Sequence, residues 1–99
     1  MRVLGANTIA TVSVGSSSTQ LLAADADRLH AVITNISDET VYLSEGAAAE
    51  ASKGYPLAPL GDPATEASRW RTGEGDVVFR GAVYGICASG SKNVAVQYR

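Results

Sequence analysis

The chain has 99 residues, of which 45% are hydrophobic and 18% charged, and its formal net charge is −2. A chain of this length forms one domain and buries roughly 60–70% of its unfolded surface, enough for one modest core. Lys and Arg are scattered rather than clustered, so no nucleic-acid ligand is expected. Because no stretch is long enough to span a membrane and no secretion signal is visible, the sequence predicts a soluble protein made in a cytoplasm.

The first half of the sequence predicts short strands, because apolar residues alternate with others at a period of two. The strands are expected in "TIATVSV", "TQLLAA", "RLHAVITNI" and "TVYLS". Both sides of "RLHAVITNI" are largely apolar, which predicts a central strand covered on each side over part of its length. The polar residues 37–40 are expected to turn this strand into "TVYLS" as a tight hairpin.

The second half predicts further strands separated by turns. "EGAAAEASKG" is expected to be a loop with at most one helical turn, and the proline-bearing "YPLAPLGDPATEAS" an edge strand or a path across the surface. "RWRT" predicts a brief strand, and "DVVFRGAVYGICAS" a bend or bulge followed by a second strand. Residues 90–93 are expected to close a last hairpin into "VAVQYR". About seven or eight short strands predict an all-β fold, a small antiparallel β-sandwich or jelly-roll-like barrel.

No catalytic residue, metal site or cofactor is expected. His30 lies in mid-strand among apolar neighbours and is interpreted as a packed or interface residue, and Cys87 as a buried structural thiol. The D-x-D pair at residues 25–27 suits a turn better than a calcium site. Glu74 and Asp76 lie in one glycine turn, which does not suit paired catalytic carboxylates. The sequence therefore predicts that the protein is not an enzyme.

The segment Arg69-Trp70-Arg71 is the first candidate for partner binding. A tryptophan between two arginines suits an exposed hot spot for a partner protein or a sugar ring. Alternatively, Trp70 packs in the core and both arginines point to solvent, as strand alternation would give. The sequence favours the second interpretation and leaves the first open.

Residues 1–8 are the second candidate, because they precede the first confident strand. As an extended arm they could lie along a neighbour and add backbone hydrogen bonds, with Arg2, Val3 and Leu4 as partner-binding residues. The alternative is a frayed terminus. In either case the β-sandwich domain is expected over residues 9–99.

The order of these pieces resembles small structural proteins encoded in tailed-bacteriophage genomes. The resemblance runs through "VSVGSSSTQLLAADADRLHAVITNISDETVYLSEGAAA", then "KGYPLAPLGDP", then "GAVYGICASGSKNVAVQYR". It covers roughly residues 12–98 and rests on the order of strands and turns rather than on a catalytic signature.

The resemblance implies a decoration (cement) protein that binds the outside of a phage capsid and stabilises it. It further implies a homotrimer, the major capsid protein as partner, a place on the outer surface of the virion, and no catalytic residues or cofactor. The sequence carries no further domain after residue 99, which favours a compact decoration protein over the base of a head fibre.

Two alternatives are kept. One is another virion component, such as a tail, neck or head-fibre-base protein, because similar small sandwiches occur there. The other is a carbohydrate-binding module, in which Trp70 and some of Tyr42, Tyr55 and Tyr84 would stack against sugar rings.

Overall fold

The computed structural model describes residues 8–60, 66–73 and 78–99. Within these residues the chain forms eight strands, a 3₁₀ turn at Glu66–Ser68 and no α-helix, which confirms the predicted all-β fold class. The strands are β1 (Thr8–Val14), β2 (Thr19–Leu22), β3 (Ala31–Asn35), β4 (Val41–Glu45), β5 (Tyr55–Leu57), β6 (Arg69–Thr72), β7 (Val83–Cys87) and β8 (Lys92–Tyr98). The predicted arm residues Arg2, Val3 and Leu4, and the turn residues Glu74 and Asp76, lie outside the described residues.

Each strand pairs with the strand that mirrors it about the middle of the chain. β1 pairs with β8, β2 with β7, β3 with β6 and β4 with β5, all antiparallel. The chain therefore doubles back between β4 and β5 as one long ribbon. Pairing of β3 with β8 and of β4 with β7 wraps the ribbon into two four-stranded sheets. Sheet I has the order β1-β8-β3-β6 and sheet II the order β2-β7-β4-β5, which is the strand order of a jelly roll.

The core lies between the two sheets, because alternate residues of each strand point inward. Aliphatic side chains from both sheets are at most 1% exposed there: Ala31, Ile33, Val94 and Val96 from sheet I, and Val41, Leu43, Leu57 and Val83 from sheet II. Burying a side chain of Val, Leu or Ile size contributes about 1.5–3 kcal/mol. Cys87 belongs to this core at 2% exposure, so the prediction of a buried thiol is confirmed.

The connection between β3 and β4 is a corner between sheets, and the predicted hairpin is wrong, because β3 belongs to sheet I and β4 to sheet II. The buried side chain of Asn35 organises this corner. Its Nδ2 donates to the carbonyl oxygens of Glu39, Leu57 and Ala58 at 2.7, 3.0 and 3.1 Å. Its Oδ1 accepts hydrogen bonds from the backbone N and the Oγ of Ser37 at 3.0 and 2.6 Å. The polar residues here fix the path of the chain.

The connection between β7 and β8 corrects the second predicted hairpin in the same way. β7 lies in sheet II and β8 in sheet I, and Gly90 and Ser91 take positive φ angles of 82° and 54° where the chain crosses over. Of the described strands, only β4 and β5 are both consecutive and adjacent in one sheet. Period-two alternation shows which residues share a face, but it does not show which sheet the next strand joins.

The segments around β5 and β6 agree more closely with what the sequence predicts. β5 is one of the two edge strands of sheet II and contains Pro56, and β6 is the brief strand expected from "RWRT". Residues 46–54 form no helix. The run "DVVFRGAVYGICAS" contributes one strand from Val83, because residues 78–82 form none. There Phe79 packs against the core, and its backbone N–H donates to Thr72 Oγ1 at 2.8 Å.

Candidate partner-binding surface

Trp70 is a core residue. Its side chain is 5% exposed and belongs to the cluster between the sheets. Its indole N–H donates to Glu45 Oε1 at 3.2 Å, which links β6 of sheet I to β4 of sheet II. The structure therefore shows the core interpretation of Trp70, and its assignment as a direct partner contact is corrected. The physical reason is alternation, which places the aromatic ring inside when both neighbouring arginines face outward.

Arg69 and Arg71 lie on the opposite side of β6, at one edge of sheet I. Arg71 is exposed and Arg69 half-buried. β6 is followed directly by Gly73, whose φ is +90° and where an added Cβ would meet the carbonyl oxygen of Leu29. Only glycine suits this close approach, so the position at which β6 leaves the sheet is fixed by the backbone.

The strand register places the two arginines in a continuous surface. One row across the outer side of sheet I contains Ile9, Gln97, Val32 and Arg71. The next row contains Thr11, Ala95, Thr34 and Arg69. We call these eight residues the sheet I outer face. They are exposed or half-buried, and the two arginines are their only charged members. The face therefore carries little charge, and both of its charged residues lie on β6 at one edge of the sheet.

The outer side of sheet II is less open. Tyr42 and Tyr84 point outward there but are half-buried, and Ile86 is only 8% exposed. The backbone N–H of Ala49, itself 6% exposed, donates to Ser18 Oγ at 2.8 Å, so the segment after β4 is tied to the start of β2. Neither Ile86 nor Ala49 belongs to the core cluster. This side therefore offers a smaller and more covered surface.

A buried arginine that the sequence analysis did not single out holds one end of the sandwich together. Arg28 is 1% exposed, and its guanidinium donates to the carbonyl oxygens of Ala23, Phe79 and Gly81 at 2.5, 2.7 and 3.2 Å. Burial lowers the pKa of Arg28 from its ordinary value, and the nearby Asp25 offsets part of this effect. The guanidinium thus links the segment after β2 to the segment before β7. The clue in the sequence is a cation between an Asp turn and an apolar run.

A cavity of about 210 Å³ adjoins this arginine. It is lined by Leu21, Leu22, Ala23, Ala24, Asp25, Arg28 and Tyr98. The Nε of Arg28 is buried and has no hydrogen-bond partner among the described residues. Since that atom is not accessible to solvent and the other guanidinium nitrogens are engaged by carbonyls, Arg28 acts there as a structural link.

The carboxylates of Asp38, which is exposed, and Glu39, which is half-buried, join the two corners of the fold. Glu39 accepts hydrogen bonds from the backbone N and the Oγ of Ser89, both at 2.7 Å, and Asp38 pairs with Lys92 at 2.7 Å. The hydrogen bond and charge of Lys92 lower the pKa of Asp38, and the backbone N–H of Ser89 lowers the pKa of Glu39. These residues connect the β3–β4 corner to the β7–β8 corner.

In the part of the chain that the structure describes, the candidate functional sites are surfaces rather than a cluster of reactive side chains. His30 and Cys87 lie apart, and no group of three or more His, Cys, Asp or Glu residues within residues 8–60, 66–73 and 78–99 could hold a metal ion. Among those same residues, no helix has the length and apolar character needed to cross a membrane. The chain matches no protein-family model, no curated protein and no solved structure.

Proposed function

We propose that this protein is a structural virion component that binds the outer surface of a tailed-phage capsid and stabilises the shell. The observation that carries the proposal is the sheet I outer face, two rows of residues with no charge besides Arg69 and Arg71. The order of sequence pieces that resembles phage structural proteins supports it, as does the jelly-roll strand order, which many viral capsid and lectin domains share. Because fold alone does not decide function, the proposal rests on this surface.

The chemistry of the face suits attachment to a protein shell. Decoration needs binding free energy across subunit joints and no reaction. Interface cores are depleted of charged residues, and Ile9, Val32 and Ala95 supply apolar area without Lys or Glu. Thr and Ala also lose little side-chain entropy on contact. Many copies on one lattice add their contacts, so each site can bind modestly.

The two arginines lie at one edge of the sheet I outer face, so its two edges differ in charge. Arg is enriched at binding hot spots and pairs with carboxylates through two parallel hydrogen bonds. We therefore expect acidic side chains on the capsid surface opposite β6, with the major capsid protein as partner. Trp70 acts indirectly in this arrangement, because its burial and its bond to Glu45 hold β6 in the sheet.

The decisive measurement is the number of copies in particles of the phage that carries this gene. Quantitative mass spectrometry of purified particles should give a number comparable to that of the major capsid protein. Particles lacking the protein should lose their shell at a lower temperature. A handful of copies per particle would instead favour a neck or tail component, and absence from the particle would refute the proposal.

A charge reversal tests the face itself. Arg71→Glu should reduce occupancy of stripped capsids about 10- to 100-fold, since a hydrogen bond to a charged group contributes about 1.5–3 kcal/mol. Lys53→Glu is the matched control, because Lys53 is 71% exposed in the segment after β4, away from sheet I. Equal binding by both variants would show that Arg71 is not in the contact.

The carbohydrate-binding alternative is less well supported. Burial of Trp70 removes the largest stacking platform, and Tyr42 and Tyr84 are half-buried. Tyr55 is 47% exposed but lies at the end of the short β5. Specific binding on a glycan array by a protein that does not bind capsids would favour this alternative.

A further inference from the structure

The two sheets present four edge strands, and three of them carry features that oppose pairing with another chain. β6 carries two arginines, β5 has three residues with Pro56 at its centre, and β2 has four residues with a register shift between Gln20 and Leu22. Charge, proline and bulges are the usual means by which proteins protect an edge. Three of the four edge strands are therefore poorly suited to pairing with another chain.

β1 is the exception. It has seven residues, none charged and none proline, and all seven pair with β8 in an unbroken register from Thr8 opposite Tyr98 to Val14 opposite Lys92. In an antiparallel pair, alternate residues direct their N–H and C=O groups away from the partner strand. β1 lies first in the order of sheet I, so about half of its backbone groups point outward from the sheet. This is the geometry of a strand ready to accept another.

We propose that the β1 edge pairs with the β1 edge of a second copy of this chain, antiparallel and centred on Thr11. The sheet I of one copy then continues into that of the other across a two-fold axis. In this register Thr11 faces Thr11 of the partner subunit, Ala10 faces the partner's Val12, and Ile9 faces the partner's Ser13. The expected readout is a dimer, which replaces the homotrimer implied by the resemblance.

The composition of β1 favours a second copy as the occupant. A two-fold pairing places the central residue, Thr11, opposite its own copy, so a charge at that position would meet a like charge, and β1 carries no charge at any position. Thr opposite Thr is a favourable cross-strand pair. On the core side, Ala10 is exposed and Val12 only half-buried, and the partner's Val12 and Ala10 would cover them. Ile9, at 74% exposure the most exposed of the large hydrophobic residues described, also gains a neighbour.

The length of the contact sets its strength. Seven paired residues span about 24 Å. A contact of this size lies at the small end of specific interfaces, so we expect a dissociation constant in about the micromolar range. The dimer should therefore form at tens of micromolar and dissociate on dilution.

The test requires no capsid and is independent of the proposed function. Native mass spectrometry and light scattering between about 1 and 100 µM should show a mass twice that of the 10.2 kDa chain at the upper end. Thr11→Lys should raise the dissociation constant at least about tenfold, because two lysines would face each other. Gln97→Lys is the matched control, since Gln97 is exposed on the same face but one strand away from the edge. Both variants should melt like the wild type.

A cysteine cross-link tests the register. Residues directly opposite in an antiparallel pair have Cα atoms about 4.5–5.5 Å apart, within the range of a disulfide. Thr11→Cys should therefore oxidise to a covalent dimer, whereas Gln97→Cys should not, and the native Cys87 is too buried to interfere. A wild-type protein that stays monomeric or forms a trimer over this range would overturn the inference. So would a dimer unaffected by Thr11→Lys, or equal cross-linking at both positions.

Discussion

Asn35→Ala should destabilise the domain more than its place in a surface corner suggests. The side chain is 0% exposed and makes five hydrogen bonds, three to carbonyl oxygens of two segments and two from Ser37. A hydrogen bond contributes about 0.5–1.5 kcal/mol, and a buried carbonyl left without its donor costs a further 1–3 kcal/mol or so. We expect a loss of about 3–5 kcal/mol, a large part of the roughly 5–15 kcal/mol of a typical domain.

Urea denaturation followed by tryptophan fluorescence measures this loss, because Trp70 is the only tryptophan and lies in the core. The melting temperature should fall by more than about 12 °C. Asn93→Ala is the matched control: Asn93 is exposed on β8, and its loss should cost no more than about 0.5 kcal/mol. Asn35→Asp keeps the shape but removes both N–H donors, so it should be at least as harmful as Asn35→Ala. If Asn35→Ala loses less than about 1 kcal/mol relative to Asn93→Ala, the corner does not depend on this side chain.

Three further changes test other parts of the fold. Trp70→Ala should cost about 3–5 kcal/mol in urea denaturation followed by circular dichroism, since this variant lacks the only tryptophan; attachment lost at unchanged stability would contradict the core position. The folded state lowers the pKa of Asp38 and Glu39, so the stability they contribute is present above their ordinary values of 3.8 and 4.5 and is lost as the pH falls through the lowered values. The urea concentration at the unfolding midpoint should therefore decrease as the pH is lowered from about 6 to about 3. The double variant Asp38→Asn/Glu39→Gln should show a smaller decrease over the same range. Gly73→Ala should lower the melting temperature more than Gly46→Ala, because both have positive φ but only Gly73 leaves no space for a Cβ.

The strands could be predicted from the sequence because their apolar faces repeat every second residue. The core positions of β3 and β8 follow directly from that period. The burial of Trp70 also follows from it, once the two neighbouring arginines are placed on the solvent side of β6. The sheet order could not be predicted in this way. The residues after β3 look equally polar whether they turn within one sheet or cross to the other, and the difference lies in where Asn35 finds its acceptors, one of which is Leu57 far along the chain.

The sequence also concealed two features that depend on the whole fold. Arg28 looked like the polar start of a strand, whereas three carbonyl oxygens from two separate segments converge on it and allow its burial. The sheet I outer face contains residues of four strands spread over the chain, so its rows can be identified only once the register between those strands is known. Whether a surface is nearly uncharged depends on which residues are neighbours in space, and local sequence patterns do not show this.

The pairing of the first strand with the last has a consequence for synthesis in the cell. β1 emerges from the ribosome early, but its neighbour β8 begins at Lys92 and also supplies the partner of β3. At about 5–20 residues per second, β1 waits roughly 4–16 s before it can be paired. During that interval both edges of an uncharged, β-branched strand are open to other nascent chains. Sheet I can therefore be completed only after translation has passed β8, and conditions that slow elongation should increase aggregation of this protein more than of a domain built from local contacts.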